Sequence, residues 1–111
     1  MARVFAPQLP SRYDSSIQCW VPTVNLDPAK VFGDIEILLP PEASRMPVED
    51  LYSILEPMLS DITKNDWLLA VGDPVVMSIV VAIATDKLDG LLRVLRWDKR
   101  TRHYESIELQ L

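Results

Sequence analysis

The chain has 111 residues, 49% of them hydrophobic and 24% charged, and its 16 acidic against 11 basic side chains set a formal net charge of −5. With glycine only at Gly33, Gly72 and Gly90, one cysteine (Cys19) and one histidine (His103), it can spell neither a dinucleotide fingerprint, nor a phosphate-cradling P-loop, nor a structural zinc site, nor an intrachain disulfide. What remains is one globular domain over residues 1–111 with no cofactor expected.

Residues 1–32 are rich in proline (Pro7, Pro10, Pro22, Pro28) and carry Phe5, Tyr13, Trp20 and Phe32. The alternation Trp20-Val21-Pro22-Thr23-Val24-Asn25-Leu26 predicts short strands at a sheet edge, where proline costs no ladder hydrogen bond, so the segment reads as a β-arm or hairpin. Its start, Met-Ala-Arg-Val-Phe-Ala-Pro, lacks the roughly 7–15-residue apolar run of a signal peptide. The longest apolar stretch, Val75 to Ala84, is interrupted by Ser78 and too short to span a bilayer. A cytoplasmic protein with no membrane partner is therefore expected, and the lone cysteine fits a reducing compartment.

After Gly33 the pattern becomes regular. Ile35 to Leu39 reads as a strand stopped by Pro40-Pro41. Pro47 opens a helix whose Glu49 and Asp50 complement its dipole, and Val48, Leu51, Leu55, Met58, Leu59 and Ile62 repeat at spacings of three and four. Pro57 should kink or divide that helix. Trp67 to Val71 reads as a buried strand, and Gly72-Asp73-Pro74 as a turn in which Asp73 caps the next helix and Pro74 takes its first position.

The helix from Pro74 to about Asp86 is apolar nearly all round. Such a helix must lie between layers or turn one side to another chain, and Val76, Val80 and Ile83 are the expected oligomer interface. Gly90 suits a left-handed position after the helix, Leu91 to Trp97 is a strand, Asp98 to Arg102 a turn, and Tyr104 to Leu111 an alternating strand. The body over 33–111 is thus βαβαββ. Right-handed crossovers predict an α/β fold: a small mixed sheet with three parallel strands joined by two helices, preceded by the N-terminal β-arm and closed by a C-terminal antiparallel hairpin.

Candidate chemistry is sparse. Strand carboxyl ends favour ligands, and Ser44, Arg45 and Asp73 converge there, with Trp97 or Asp98 beside them. Asp73 on the helix N-terminus repels a further anion, so Gly-Asp-Pro reads mainly as a turn and cap. His103 sits beside Arg102 in a cationic turn with no triad around it, and Cys19 has no visible base. No catalytic role is assigned to any residue and no enzyme is expected.

Charge is the better guide. Leu91 to His103 holds Arg93, Arg96, Lys99, Arg100 and Arg102 against Asp98, a balance of +4, which leaves −9 on the rest of the chain. With Trp97 and Tyr104 these five cations form a candidate nucleic-acid or partner surface, since single-strand binders combine cations with aromatic platforms. The plainer alternative is a solvated basic edge that discourages sheet pairing, with its aromatics packed inside the hairpin. The acidic remainder disfavours nucleic acid at long range, and a basic edge can instead meet an acidic face of another copy.

One internal echo stands out: Arg12-Tyr13-Asp14 followed by Trp20, and Arg96-Trp97-Asp98 followed by Tyr104, at equal spacing. Both fit a hairpin with an aromatic cross-strand pair and an Asp opening the turn. Together with Leu68-Leu69-Ala70-Val71-Gly72-Asp73-Pro74 and the ending Ile107, Leu109, Leu111, these motifs resemble a group of small proteins of unassigned activity encoded in tailed-bacteriophage genomes. The resemblance implies a phage origin, action in the host cytoplasm or the virion, and no functional residues. The expected function is a non-enzymatic accessory or structural interaction protein that self-associates or binds a host or virion protein. The alternatives are a nucleic-acid-binding accessory using the basic hairpin and a small-ligand-binding, Rossmann-like module.

Overall fold

The computed structural model describes residues 2–111. Its main sheet has five strands in the order β4-β1-β5-β6-β7: β1 is Arg3–Gln8, β4 Asp34–Leu39, β5 Trp67–Leu69, β6 Leu91–Asp98 and β7 His103–Gln110. β1, β4, β5 and β6 run parallel and β7 antiparallel. A separate antiparallel hairpin, β2 (Ser11–Asp14) and β3 (Cys19–Pro22), follows β1. The expected α/β class with a C-terminal antiparallel hairpin is present, and residues 11–22 form the expected N-terminal hairpin.

The first strand is a finding that the pattern did not suggest. Residues 3–8, expected within the arm, form the strand between β4 and β5 and add a fourth parallel strand to the three expected. Pro7 stood against that reading, because proline breaks a central ladder. In β1 it falls past the last partner on the β5 side, Phe5 opposite Leu68, and is skipped in the β4 register between Ala6–Ile37 and Gln8–Leu39. No ladder bond needs its absent N–H.

Two helices, α1 (Val48–Met58) and α2 (Pro74–Lys87), cover one face of the sheet. α1 buries Leu51 and Leu55, α2 buries Val76, Val80, Ile83 and Ala84, and between them lie Phe5, Leu38, Leu68 and Leu92 of the sheet. Pro57 neither kinks nor divides α1 midway but lies in its last turn, past which Leu59 N still donates to Leu55 O at 3.1 Å, and Leu59 and Ile62 continue the apolar stripe beyond the helix. Asp73 caps α2 as expected, accepting hydrogen bonds from Val75 N at 3.0 Å and Val76 N at 3.2 Å. The proposed interface on Val76, Val80 and Ile83 is corrected: these side chains are 0%, 0% and 3% exposed inside the helix–sheet layer. α2 is apolar all round because α1 and the sheet take two of its sides, while Val75, Ser78 and Ala82 meet solvent.

The opposite face is thinly covered. A 3₁₀ segment, Asp27–Phe32, crosses it and packs Leu26, Ala29 and Phe32 on Val4, Ala6, Trp67, Leu69, Leu95 and Tyr104. Phe32 and Trp67 meet edge to face at 5.2 Å, a favoured aromatic geometry. One short segment cannot hide a five-stranded sheet, and hollows flank it on both sides.

Candidate functional site

The carboxyl ends of the four parallel strands and the turns that leave them form one rim. β1 connects to β4 on one side, while the chain leaving β5 moves the other way to β6. The rim between β1 and β5 is therefore a topological switch point, where open α/β sheets leave a crevice. A crevice of about 390 Å³ opens there, lined among others by Gln8, Trp20, Ser44, Arg45, Gly72 and Asp73. The expected convergence of Ser44, Arg45 and Asp73 is present. Trp97 and Asp98 lie outside this lining.

Gln8, which no sequence motif marked, organises the crevice floor. Its side chain is buried; Nε2 donates to Pro40 O at 3.2 Å and to Ser44 Oγ at 3.1 Å, and Oε1 accepts from Asp73 N at 2.9 Å. It ties the ends of β1, β4 and β5 into one unit. The Asp73 carboxylate is engaged on α2, so the polar groups at the bottom are occupied by each other. The one available sequence signal was its position, a polar residue closing the apolar run Val4-Phe5-Ala6-Pro7.

Beside the crevice, the loop after β3 makes a ridge. Thr23 N donates to Pro10 O at 2.8 Å and clasps the root of the hairpin. Across that ridge a second furrow, about 520 Å³, is lined by Val24, Asn25, Val71, Trp97, Arg102 and Tyr104. Trp97 and Val24 stand partly exposed at its wall, and the hairpin carries exposed Tyr13 and Ile17.

The internal echo in the sequence is real in three dimensions. Tyr13 faces Trp20, and Trp97 faces Tyr104, each pair edge to face with ring centroids 5.6 and 5.0 Å apart. Asp14 Oδ1 accepts from Ser16 N and Asp98 Oδ1 from Arg100 N, which opens each turn. The last loop residues, Gln18 and Arg102, both take left-handed φ values of 53° and 56°. The Ser16 hydroxyl and backbone N–H also hold the Asp14 carboxyl below its ordinary value.

The seven residues of the basic hairpin do not form one surface. Arg96 pairs with Glu105 at 3.0 Å. Arg93 lies over the Trp67 ring, 3.7 Å from its centroid, and donates to Asn65 O at 3.3 Å, far from the turn. Lys99, Arg100 and Arg102 occupy the exposed turn. Trp97 is half exposed, but Tyr104 is buried, which pushes its phenol upward from the ordinary value. A two-ring stacking platform is therefore not presented, and His103 and Cys19 are exposed strand residues.

A family model described as Phage Pam3 gp32-like protein matches residues 2–111. The chain belongs to this family. The phage origin implied by the hairpin motifs is borne out, since the match runs through both hairpins and the sheet between them. No curated protein and no solved structure matches the chain. Among the described residues of this Phage Pam3 gp32-like protein, no helix is long and apolar enough to cross a membrane.

Proposed function

We propose that the protein is a non-enzymatic interaction protein of the phage, acting in the host cytoplasm or the virion by docking another protein on the strand-end rim. One observation carries this reading. The hairpin that leaves β1 carries exposed Tyr13 and Ile17, and the loop that follows it brings Val24 into the apolar furrow walled also by Val71 and Trp97. Exposed apolar knobs and hollows on one rim are the surface that protein partners bury, with charged residues at its border. Lys99, Arg100 and Arg102 supply that border.

The test is site-specific photo-crosslinking in infected cells, with a photoreactive residue at position 17, at position 97, or at exposed Ser60 past the far end of α1. Protein adducts from 17 and 97 but not from 60 are expected. Adducts from none of the three, or equally from all, would remove the rim as the docking surface.

A further inference from the structure

We propose that the partner on this rim is a second copy of the chain, in a two-fold dimer whose axis runs normal to the sheet. The proposal rests on the rim being a protein-docking surface and names its occupant. The five-strand order β4-β1-β5-β6-β7 has β5 at its centre, so reversing it exchanges β1 with β6 and β4 with β7. With two rims facing across such an axis, the hairpin that leaves β1 of one copy stands over the end of β6 of the other.

Three features fit this arrangement together. The rotation keeps each face of the sheet on its own side, and the hairpin root and the furrow both lie on the face opposite the helices, where Pro22 and Val24 border the same hollow as Ile35 and Ile37. The hairpin tip carries Ile17, 60% exposed, and the furrow beside the β6 end is about 520 Å³ with Val24, Val71 and Trp97 on its walls. Charge then selects the axis. At the β4 end, Glu42, Glu49 and Asp50 outnumber Arg45, and at the β6 end Lys99, Arg100 and Arg102 outnumber Asp98. Among the described residues none of these eight makes an ion pair within the chain. The axis normal to the sheet sets each basic turn against the other copy's acidic corner, twice per dimer. An axis lying in the sheet along the rim would oppose like charges, which disfavours that docking. The result is an isologous interface, in which the same patch serves both copies.

Sedimentation of the full chain tests the dimer with charge exchange. The wild type is expected to dimerise, with its dissociation constant rising at least about tenfold between roughly 0.05 M and 0.5 M salt as screening shortens. Arg100→Glu/Arg102→Glu alone and Glu49→Lys/Asp50→Lys alone should each weaken dimerisation about tenfold or more, since each opposes like charges at both contacts. An equimolar mixture of the two variants should recover a heterodimer, because both contacts again join opposite charges, and recovery also shows both variants folded. A wild type that stays monomeric at all concentrations, a dimer indifferent to either variant, or a mixture that fails to recover overturns the proposal. A monomeric wild type that still crosslinks to a different protein from positions 17 and 97 sinks the dimer while leaving the docking surface standing. Loss of those crosslinks sinks the surface itself.

Discussion

The guanidinium of Arg3, at the start of the interior strand β1, reaches the buried carboxylate of Asp66 at 3.0 Å, and the backbone N–H of Arg3 donates to the same group at 2.9 Å. Thr63 adds its backbone N–H at 2.9 Å and its hydroxyl at 3.3 Å. Burial on its own would raise the Asp66 carboxyl, but the donors from Thr63 and Arg3 and the Arg3 charge outweigh it and hold the group below its ordinary value. A carboxyl depressed in the folded state contributes stability that is complete above its unfolded value of about 4 and is lost as pH falls through the folded value. Asp66→Asn should therefore destabilise the protein by about 1–3 kcal/mol near neutrality, the usual range for a buried charge-assisted hydrogen bond. Urea unfolding should show that difference shrinking as pH falls below about 4, where the wild-type carboxyl also becomes neutral. A penalty equal at both pH values would refute the charge argument.

Gln8 carries a second prediction, because its amide meets three partners on two other strand ends. Gln8→Met keeps the length and removes both donor and acceptor, leaving Asp73 N and Pro40 O without their partner. An unsatisfied buried group costs about 1–3 kcal/mol. Thermal unfolding should record that loss, and amide exchange should quicken at Asp73 first. Gln8→Glu keeps the acceptor for Asp73 N but opposes Pro40 O with a carboxylate, so it should rescue the exchange at Asp73 without restoring the melting temperature.

Most of the fold was legible because its signals are local. Asp73 and Pro74 announce α2, the 3.6-residue stripe announces α1, and equal spacing in two aromatic hairpins announces their shared turn. β1 was not legible, for two physical reasons. Arg3 to Gln8 is buried on both faces and shows no alternation, and Pro7 is harmless only because of a register that depends on distant strands. That Val76, Val80 and Ile83 pack between α1 and the sheet rather than against another chain was not legible for the same reason: how many layers surround a helix is a tertiary fact. At the rim, Ser44, Arg45 and Asp73 were anticipated from strand ends, whereas the furrow joins Val24, Val71 and Trp97 from three distant segments, and no spacing rule links them.

Gly90 gives a third prediction, on the joint between α2 and the terminal hairpin. Its φ is +82°, and a Cβ there would stand 2.5 Å from Leu111 O. Leu111 N donates to Gly90 O at 2.9 Å, so the two chain segments are in direct contact. Gly90→Ala should cost about 1–3 kcal/mol, combining the left-handed penalty for a side-chain-bearing residue with the displaced strand end. Amide exchange should quicken at the Leu91 and Gln110 end of the hairpin before the Asp98 turn. Equal protection at both ends would contradict a local clash.

The last prediction separates core from surface on α2. Val80 is fully buried between the sheet and α1, whereas Val75, five residues earlier on the same helix, is 48% exposed. Val80→Ala removes two methyl groups from a packed layer and should destabilise by roughly 1–3 kcal/mol, the transfer cost plus the cavity left behind. Val75→Ala should change stability by less than about 0.5 kcal/mol, as expected for a surface position. Val80 lies mid-helix inside the helix–sheet layer, away from the rim, so Val80→Ala should leave sedimentation at a fixed protein concentration unchanged, and a variant that shifted association as well as the unfolding midpoint would show that the core of α2 and the contact between copies are coupled.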